Sequence, residues 1–162
     1  MNTLTKIVSA EKLLKLLPRL RRGKRKIAWT NGCFDILHWG HISYLEKAKK
    51  DGRILIVGLN SDRSVRMIKG SKRPIVPQKA RAAVLAGLAC VDYVTIFDEA
   101  TPEKVIKKLK PDILIKGADW KNKEVAGQKS VKKSGGKVEF IKYIPHYSSS
   151  EIIQTILEKC KT

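Results

Sequence analysis

The chain has 162 residues, 43% of them hydrophobic, and its 34 Lys and Arg against 15 Asp and Glu leave a formal charge of +19. That length suits one domain that buries its own core without disulfide or metal staples, and no apolar stretch reaches membrane-spanning length. Three cysteines at wide spacings, Cys33, Cys90 and Cys160, with no CxxC pair, exclude a disulfide framework and a structural zinc site.

Residues 1–26 form a basic helical extension, with a helix from Ala10 to Leu20 interrupted near Pro18 and six basic residues crowded into Arg19 to Lys26. No aromatic residue interleaves with that run, so it is a solvated surface, and nucleic acid is not the expected partner despite the charge. The same field attracts small polyanions such as nucleotides. Lys26 to Trp29 then end a buried strand, and Ile42 to Lys50 carry the apolar spacing of a helix. Arg53 to Leu59 is a fully apolar strand, Ser61 to Ile68 a short helix, and a loop with Lys69, Gly70 and Arg73 leads to an alanine-rich helix begun by Pro77. Val91 to Phe97 is the next strand. Thr101 is its following helix's N-cap, with Pro102 at the first helical position and an end near Leu109. Strands at Ile113 to Lys116 and Val138 to Tyr143 flank a basic helical stretch, Glu124 to Lys133, stopped by Gly135 and Gly136. The last helix runs from Ser149 to Lys159 with Ile152, Ile153, Ile156 and Leu157 on one face.

Strands apolar on both faces and alternating with helices predict an α/β fold: a single-domain, Rossmann-like, doubly wound sheet of about five parallel strands with helices on both faces. Ligands of such sheets sit beyond the carboxyl ends of the strands, where the strand order reverses. The segments after the first, second and fourth strands, Asn31 to His41, Asn60 to Asp62 and Gly117 to Trp120, belong there.

The first of these, TNGCFDILHWGH from Thr30 to His41, carries two of the chain's three histidines, His38 and His41, around Gly40. A helix start leaves N–H groups without partners at the positive end of the dipole, which suits phosphate, and Gly40 lets a bulky anion reach the backbone. Asp35, His38 and His41 recur every three residues and are all metal-binding types, but spacing alone is weak evidence, and one imidazole can equally be a satisfied core group. Neither a dinucleotide fingerprint nor a Walker lysine motif occurs. The pattern fits phosphoryl chemistry, with His38 and His41 as donors to the charge that builds on phosphate oxygens, Lys69 or Lys72 holding departing pyrophosphate and Mg²⁺ offsetting its charge.

The string GCFDILHWGH resembles the signature of the HxGH nucleotidyltransferases, relatives of class I aminoacyl-tRNA synthetases. It is joined in order by Asn60-Ser61-Asp62, Lys69-Gly70, Arg73-Pro74, Arg81, Asp92 with Phe97, Thr101-Pro102, PDILIKGADW from Pro111 to Trp120, Ala126-Gly127, Gly135-Gly136 and a serine cluster opening the last helix. Together they resemble the adenylyltransferase domain of ADP-heptose synthases, the D-glycero-β-D-manno-heptose 1-phosphate adenylyltransferases, over residues 27 to 157. The resemblance implies a nucleotidyltransferase domain at 27–162 that converts ATP and heptose 1-phosphate to ADP-heptose and pyrophosphate for lipopolysaccharide core or other surface glycans. It implies ATP and Mg²⁺, small-molecule substrates, no membrane partner, a cytoplasmic location and a homo-oligomer, a dimer first.

By the same resemblance His38, His41 and Lys69 are catalytic. Asn31, Gly32, Cys33, Phe34 and Gly40 line the phosphate turn, and Arg81, Gly117, Asp119, Ser148, Ser149 and Ser150 bind nucleotide; no metal ligand is assigned. Ser148 and Glu151 also spell a capping box, which by itself accounts for a serine there. Only His146 and Tyr147 separate Pro145 from the serines, where related cytidylyltransferases carry an arginine and a longer glycine-containing loop, so His146 is the candidate to replace those contacts. Cys33, where relatives often have Thr or Ser, is small filler rather than a reactive thiol. FMN adenylyltransferases of archaeal type and glycerol-3-phosphate cytidylyltransferases are the neighbouring alternatives; a non-catalytic nucleic-acid-binding protein is the alternative of another class.

Overall fold

Five strands, β1 (Lys26–Gly32), β2 (Arg53–Asn60), β3 (Tyr93–Phe97), β4 (Ile113–Gly117) and β5 (Lys137–Ile141), pair in parallel in the order β3-β2-β1-β4-β5. The structure, a computed structural model, describes residues 2–50, 52–145 and 147–160. Side chains alternate across a strand, so an apolar run feeds two cores. In β2, Leu55, Val57 and Leu59 enter one core and Ile54 and Ile56 the other. The first core is closed by α2 (Trp39–Ala48) and α4 (Gln78–Gly87) through Tyr44, Leu45, Ala48, Ala82, Leu85 and Ala86. The second is closed by α1 (Ala10–Leu20), α5 (Glu103–Leu109) and α6 (Gln128–Lys133) through Leu13, Leu17, Leu20, Ile106, Leu109 and Val131. The doubly wound α/β sheet is the one expected from the sequence. α3 (Asp62–Lys69) and α7 (Ser149–Lys159) complete the helices, and no helix among the described residues is long and apolar enough to cross a membrane.

Several element boundaries depart from the sequence reading. α1 runs unbroken through Pro18: the ring removes one N–H three residues from the end, while burial of Leu17 and Leu20 holds the last turn and the Arg21 N–H closes on Leu17 O at 3.0 Å. α2 starts at Trp39 rather than Ile42, which places His41 inside its first turn. Pro102, not Thr101, occupies the N-cap of α5, and no side-chain bond closes it. The basic stretch from Glu124 is helical only from Gln128, because Gly127 takes φ +84. Gly135 and Gly136 do end it, in a paired cap where Gly136 N–H bonds Val131 O and Gly135 N–H bonds Lys132 O. The expected face of α7 is not buried: Ile156 is 51% and Leu157 56% exposed.

Strand order reverses at β1, with β2 and β3 on one side and β4 and β5 on the other, so the crevice lies beyond the ends of β1 and β4.

Candidate active site

β1 runs to Gly32 and the chain then turns sharply into α2. Phe34 takes φ +44, a left-handed conformation that costs a residue with a Cβ on the order of 1 kcal/mol or more. Burial over-determines it. Its ring sits where a Cβ on Gly32 would come within 3.1 Å, and it packs 5.2 Å from the His41 ring. The next residue, Asp35, is buried and fully engaged: its carboxylate accepts from Ile75 N–H at 2.9 Å, Val76 N–H at 2.8 Å and Arg73 Nε at 2.6 Å. Burial alone would raise its pKa, but the two amides and the guanidinium outweigh it and hold the carboxyl below its usual range. Asp35 thus latches the loop after α3 onto the turn after β1, and its oxygens are turned to that loop rather than to a shared ion with the histidines.

His38 is the N-cap of α2, yet its side chain makes no capping bond; its carbonyl accepts the His41 N–H at 2.9 Å. The two rings stack with centroids 3.9 Å apart and planes 29° from parallel, and both Nδ1 atoms are buried without a hydrogen-bond partner. Burial lowers the pKa of His38 and, with the neighbouring ring, takes that of His41 down to about 4. Near neutral pH the pair is uncharged, and each ring keeps one N–H donor and one acceptor. Gly40 has a second reason beyond access for an anion: a Cβ there would lie 2.9 Å from Tyr147 Cβ and 3.1 Å from the His38 ring.

A cavity of about 570 Å³ opens over this turn. Asn31, Gly32, Cys33, Phe34, His38, Gly40, His41 and Lys69 line it from the β1 and β2 side, and Gly117, Asp119 and Ser148 from the other. The structure thus gathers eleven of the fourteen sequence candidates around one space. Burial raises the Cys33 thiol pKa, in keeping with a filler role. Lys69 borders the cavity at the end of α3; Lys72 does not.

Arg81, Ser149 and Ser150 lie elsewhere. Arg81 is buried beneath the turn, donating to Cys33 O at 2.5 Å, Asn60 O at 2.9 Å, Val76 O at 2.8 Å and Asp62 Oδ1 at 2.7 Å. Its guanidinium therefore braces three loops instead of facing the cavity. Ser149 Oγ donates to Ile36 O at 3.0 Å, tying α7 to the turn, and Ser150 is exposed. Ser148 caps α7 by accepting the Glu151 N–H at 3.1 Å. His146 lies outside the described residues.

Sequence reasoning gave no role to Tyr44, Ile68, Lys116, Tyr143 and Tyr147, and placed Trp120 only within the segment beyond β4; all six also line the cavity. Lys116 had a signal, a charge inside the apolar run ILIKG. Gly117, already a sequence candidate, also makes room for an aromatic wall: the Tyr143 ring would lie 2.0 Å from a Cβ there.

The chain is similar to proteins that share this frame. It is 57% identical over 144 residues to the bifunctional protein HldE of Helicobacter pylori strain J99, covering 89% of this chain and 30% of that protein. With HldE of Campylobacter curvus the identity is 53% over 156 residues, covering 96% and 32%. The chain thus spans about a third of the length of the curated relatives it matches. The crystal structure of the lipopolysaccharide core biosynthesis protein from Thermoplasma volcanium superposes with a TM-score of 0.60 at 32% identity, over 75% of this chain and 98% of that one. The cytidylyltransferase-like family matches residues 29–155, from the strand that leads into the histidine turn to the helix capped by Ser148, and the chain belongs to that family.

Proposed function

We propose that this chain transfers the adenylyl group of ATP to a sugar 1-phosphate, D-glycero-β-D-manno-heptose 1-phosphate, giving ADP-heptose and pyrophosphate, with residues 27–162 as the catalytic unit. The observation that carries the reading is the stacked His38–His41 pair at the start of α2, which lines a cavity bordered by Lys69. The names of the relatives, HldE and a lipopolysaccharide core biosynthesis protein, support the choice of sugar.

An acceptor phosphate oxygen attacks the α-phosphorus, a new P–O bond forms, and the bond to the β-phosphate's bridging oxygen breaks to release pyrophosphate. The acceptor oxygen is already an anion, so no base is required, and catalysis rests on alignment and on donors placed where charge grows. Neutral His38 and His41 each supply one N–H there. Gly40, in the first turn of α2 at the positive end of its dipole, lines the same cavity, and Lys69 meets the departing pyrophosphate. Asp119 at the cavity edge fits a hard cation held mainly by substrate oxygens, and Mg²⁺ carried by ATP would offset the charge of the leaving group.

Purified protein with ATP and Mg²⁺ is expected to release pyrophosphate when heptose 1-phosphate is added. Turnover with FMN or glycerol 3-phosphate in its place, and none with heptose 1-phosphate, would overturn the substrate assignment.

A further inference from the structure

Lys116 is a buried ammonium with no ion-pair partner among the described residues. It is the last residue but one of a strand buried along its whole length, is itself only 9% exposed, and still borders the cavity. Its Nζ donates to Asn31 Oδ1 at 2.7 Å and stands 5.5 Å from the centroid of the Trp120 ring. Among the described residues no carboxylate forms an ion pair with it, although ten ion pairs occur elsewhere. An ammonium has three donors, and one amide oxygen uses one of them. Burial draws its pKa down to about 8, with the Asp119 charge acting in the other direction, so the proton is still held near neutrality. A buried charge in this position is the half of an ion pair whose other half arrives with a ligand.

We propose that Lys116 is the seat of the acceptor's phosphate, holding the incoming sugar 1-phosphate on the β4 side of the cavity. The proposal rests on the adenylyl-transfer reading and assigns the second substrate its site. The sheet order supports the choice of phosphate. Lys69 follows β2, the histidines follow β1, and Lys116 lies near the end of β4, so the two lysines lie on opposite sides of the histidine turn. In-line displacement puts entering and leaving oxygens on opposite sides of the phosphorus. A leaving group on the β2 side requires the attacking oxygen on the β4 side, where Lys116 stands. Asn31, the last residue but one of β1, holds the ammonium at the turn's own level. Trp120, whose ring centroid lies 5.5 Å from this ammonium, and Tyr143, which packs against Gly117, line the same cavity.

The test is Lys116→Gln, which keeps a donor and removes the charge. Calorimetry with an ATP analogue and Mg²⁺ present is expected to show the dissociation constant of heptose 1-phosphate rising by about 30-fold or more, the loss of a charge-assisted contact. The affinity for the analogue alone is expected to move by less than about threefold, and in turnover KM for the acceptor rises while KM for ATP stays. Equal losses for analogue and acceptor would assign the lysine to the nucleotide, and unchanged affinity for both would remove the anion site; either result overturns the proposal. A second measurement needs no variant that folds poorly: in the ¹⁵N-lysine-labelled wild-type protein the Lys116 side-chain signal, the one missing in Lys116→Arg, shifts on adding heptose 1-phosphate and not on adding the analogue. A shift with the analogue alone overturns the assignment. The two readings fail separately. If the wild-type enzyme turns over heptose 1-phosphate and Lys116→Gln does so equally well, the lysine's role falls and the function stands. If the wild-type enzyme uses FMN instead, the sugar falls, and the lysine's role stands when Lys116→Gln weakens FMN.

Discussion

The Asp35 carboxylate and the Arg73 guanidinium, 38 residues apart in the chain, meet at 2.6 Å beneath the cavity and bind the loop after α3 to the turn after β1. The Asp35 side chain is almost wholly buried and Arg73 largely so, and breaking such a pair from one side leaves the other charge stranded.

Asp35→Asn is therefore expected to destabilise the fold by about 3 kcal/mol, read by urea denaturation. Adding Arg73→Gln to that variant is expected to cost little more, because the stranded charge goes with it. Additive losses in the double variant would mean that the two side chains act independently.

How much of this site the sequence disclosed depended on how local its causes are. The strands were legible because runs such as RILIVGL are apolar at every position, as a sheet covered on both faces requires. The start of α2 was placed three residues late because its apolar spacing begins at Ile42, whereas Trp39, Gly40 and His41 follow no helical period and are held by ring stacking and by Tyr147. Arg81 was assigned to the ligand by resemblance; its partners lie between 5 and 48 residues away, at distances in sequence that no periodicity reports. Lys116 was visible as a charge in an apolar strand, but its lack of an ion-pair partner among the described residues appears only when every neighbour is in place.

His41 gives the fold a pH dependence of definite sign. Its pKa falls from the ordinary 6.5 of a histidine to about 4 in the folded protein, so below pH 6.5 the unfolded chain takes up a proton that the folded one refuses. Stability is expected to be unaffected by this group above pH 6.5 and to fall between pH 6.5 and pH 4, by at most about 3 kcal/mol. Comparing urea midpoints of the wild-type protein and His41→Asn across that range isolates the effect, since the carboxylates titrate in both. Parallel curves would contradict the buried, neutral ring.

Gly58 tests the packing behind the site. A Cβ there would lie 2.2 Å from Cζ2 and 2.6 Å from Cη2 of Trp29, a fully buried ring with no free space to turn into. Gly58→Ala is expected to cost about 2–3 kcal/mol through overpacking, and less in a Trp29→Phe background, where the smaller ring leaves room. An equal cost in both backgrounds would locate the penalty in the strand backbone instead.

The histidines separate catalysis from folding. If their N–H groups stabilise the charge on the phosphate oxygens during transfer, replacing either His38 or His41 by Ala is expected to lower turnover by about 10²-fold or more. Because the rings stack on each other and act on one triphosphate, the double variant is expected to lose much less than the product of the two single losses. Stability above pH 6.5 changes far less than turnover, because each neutral ring leaves a buried nitrogen without a partner and its removal frees that nitrogen's desolvation cost. The measurement is single-turnover adenylyl transfer with saturating ATP, alongside thermal melts at pH 7.5. Turnover unchanged in both single variants would assign the stacked pair to packing and move the search for donors to the N–H groups of α2.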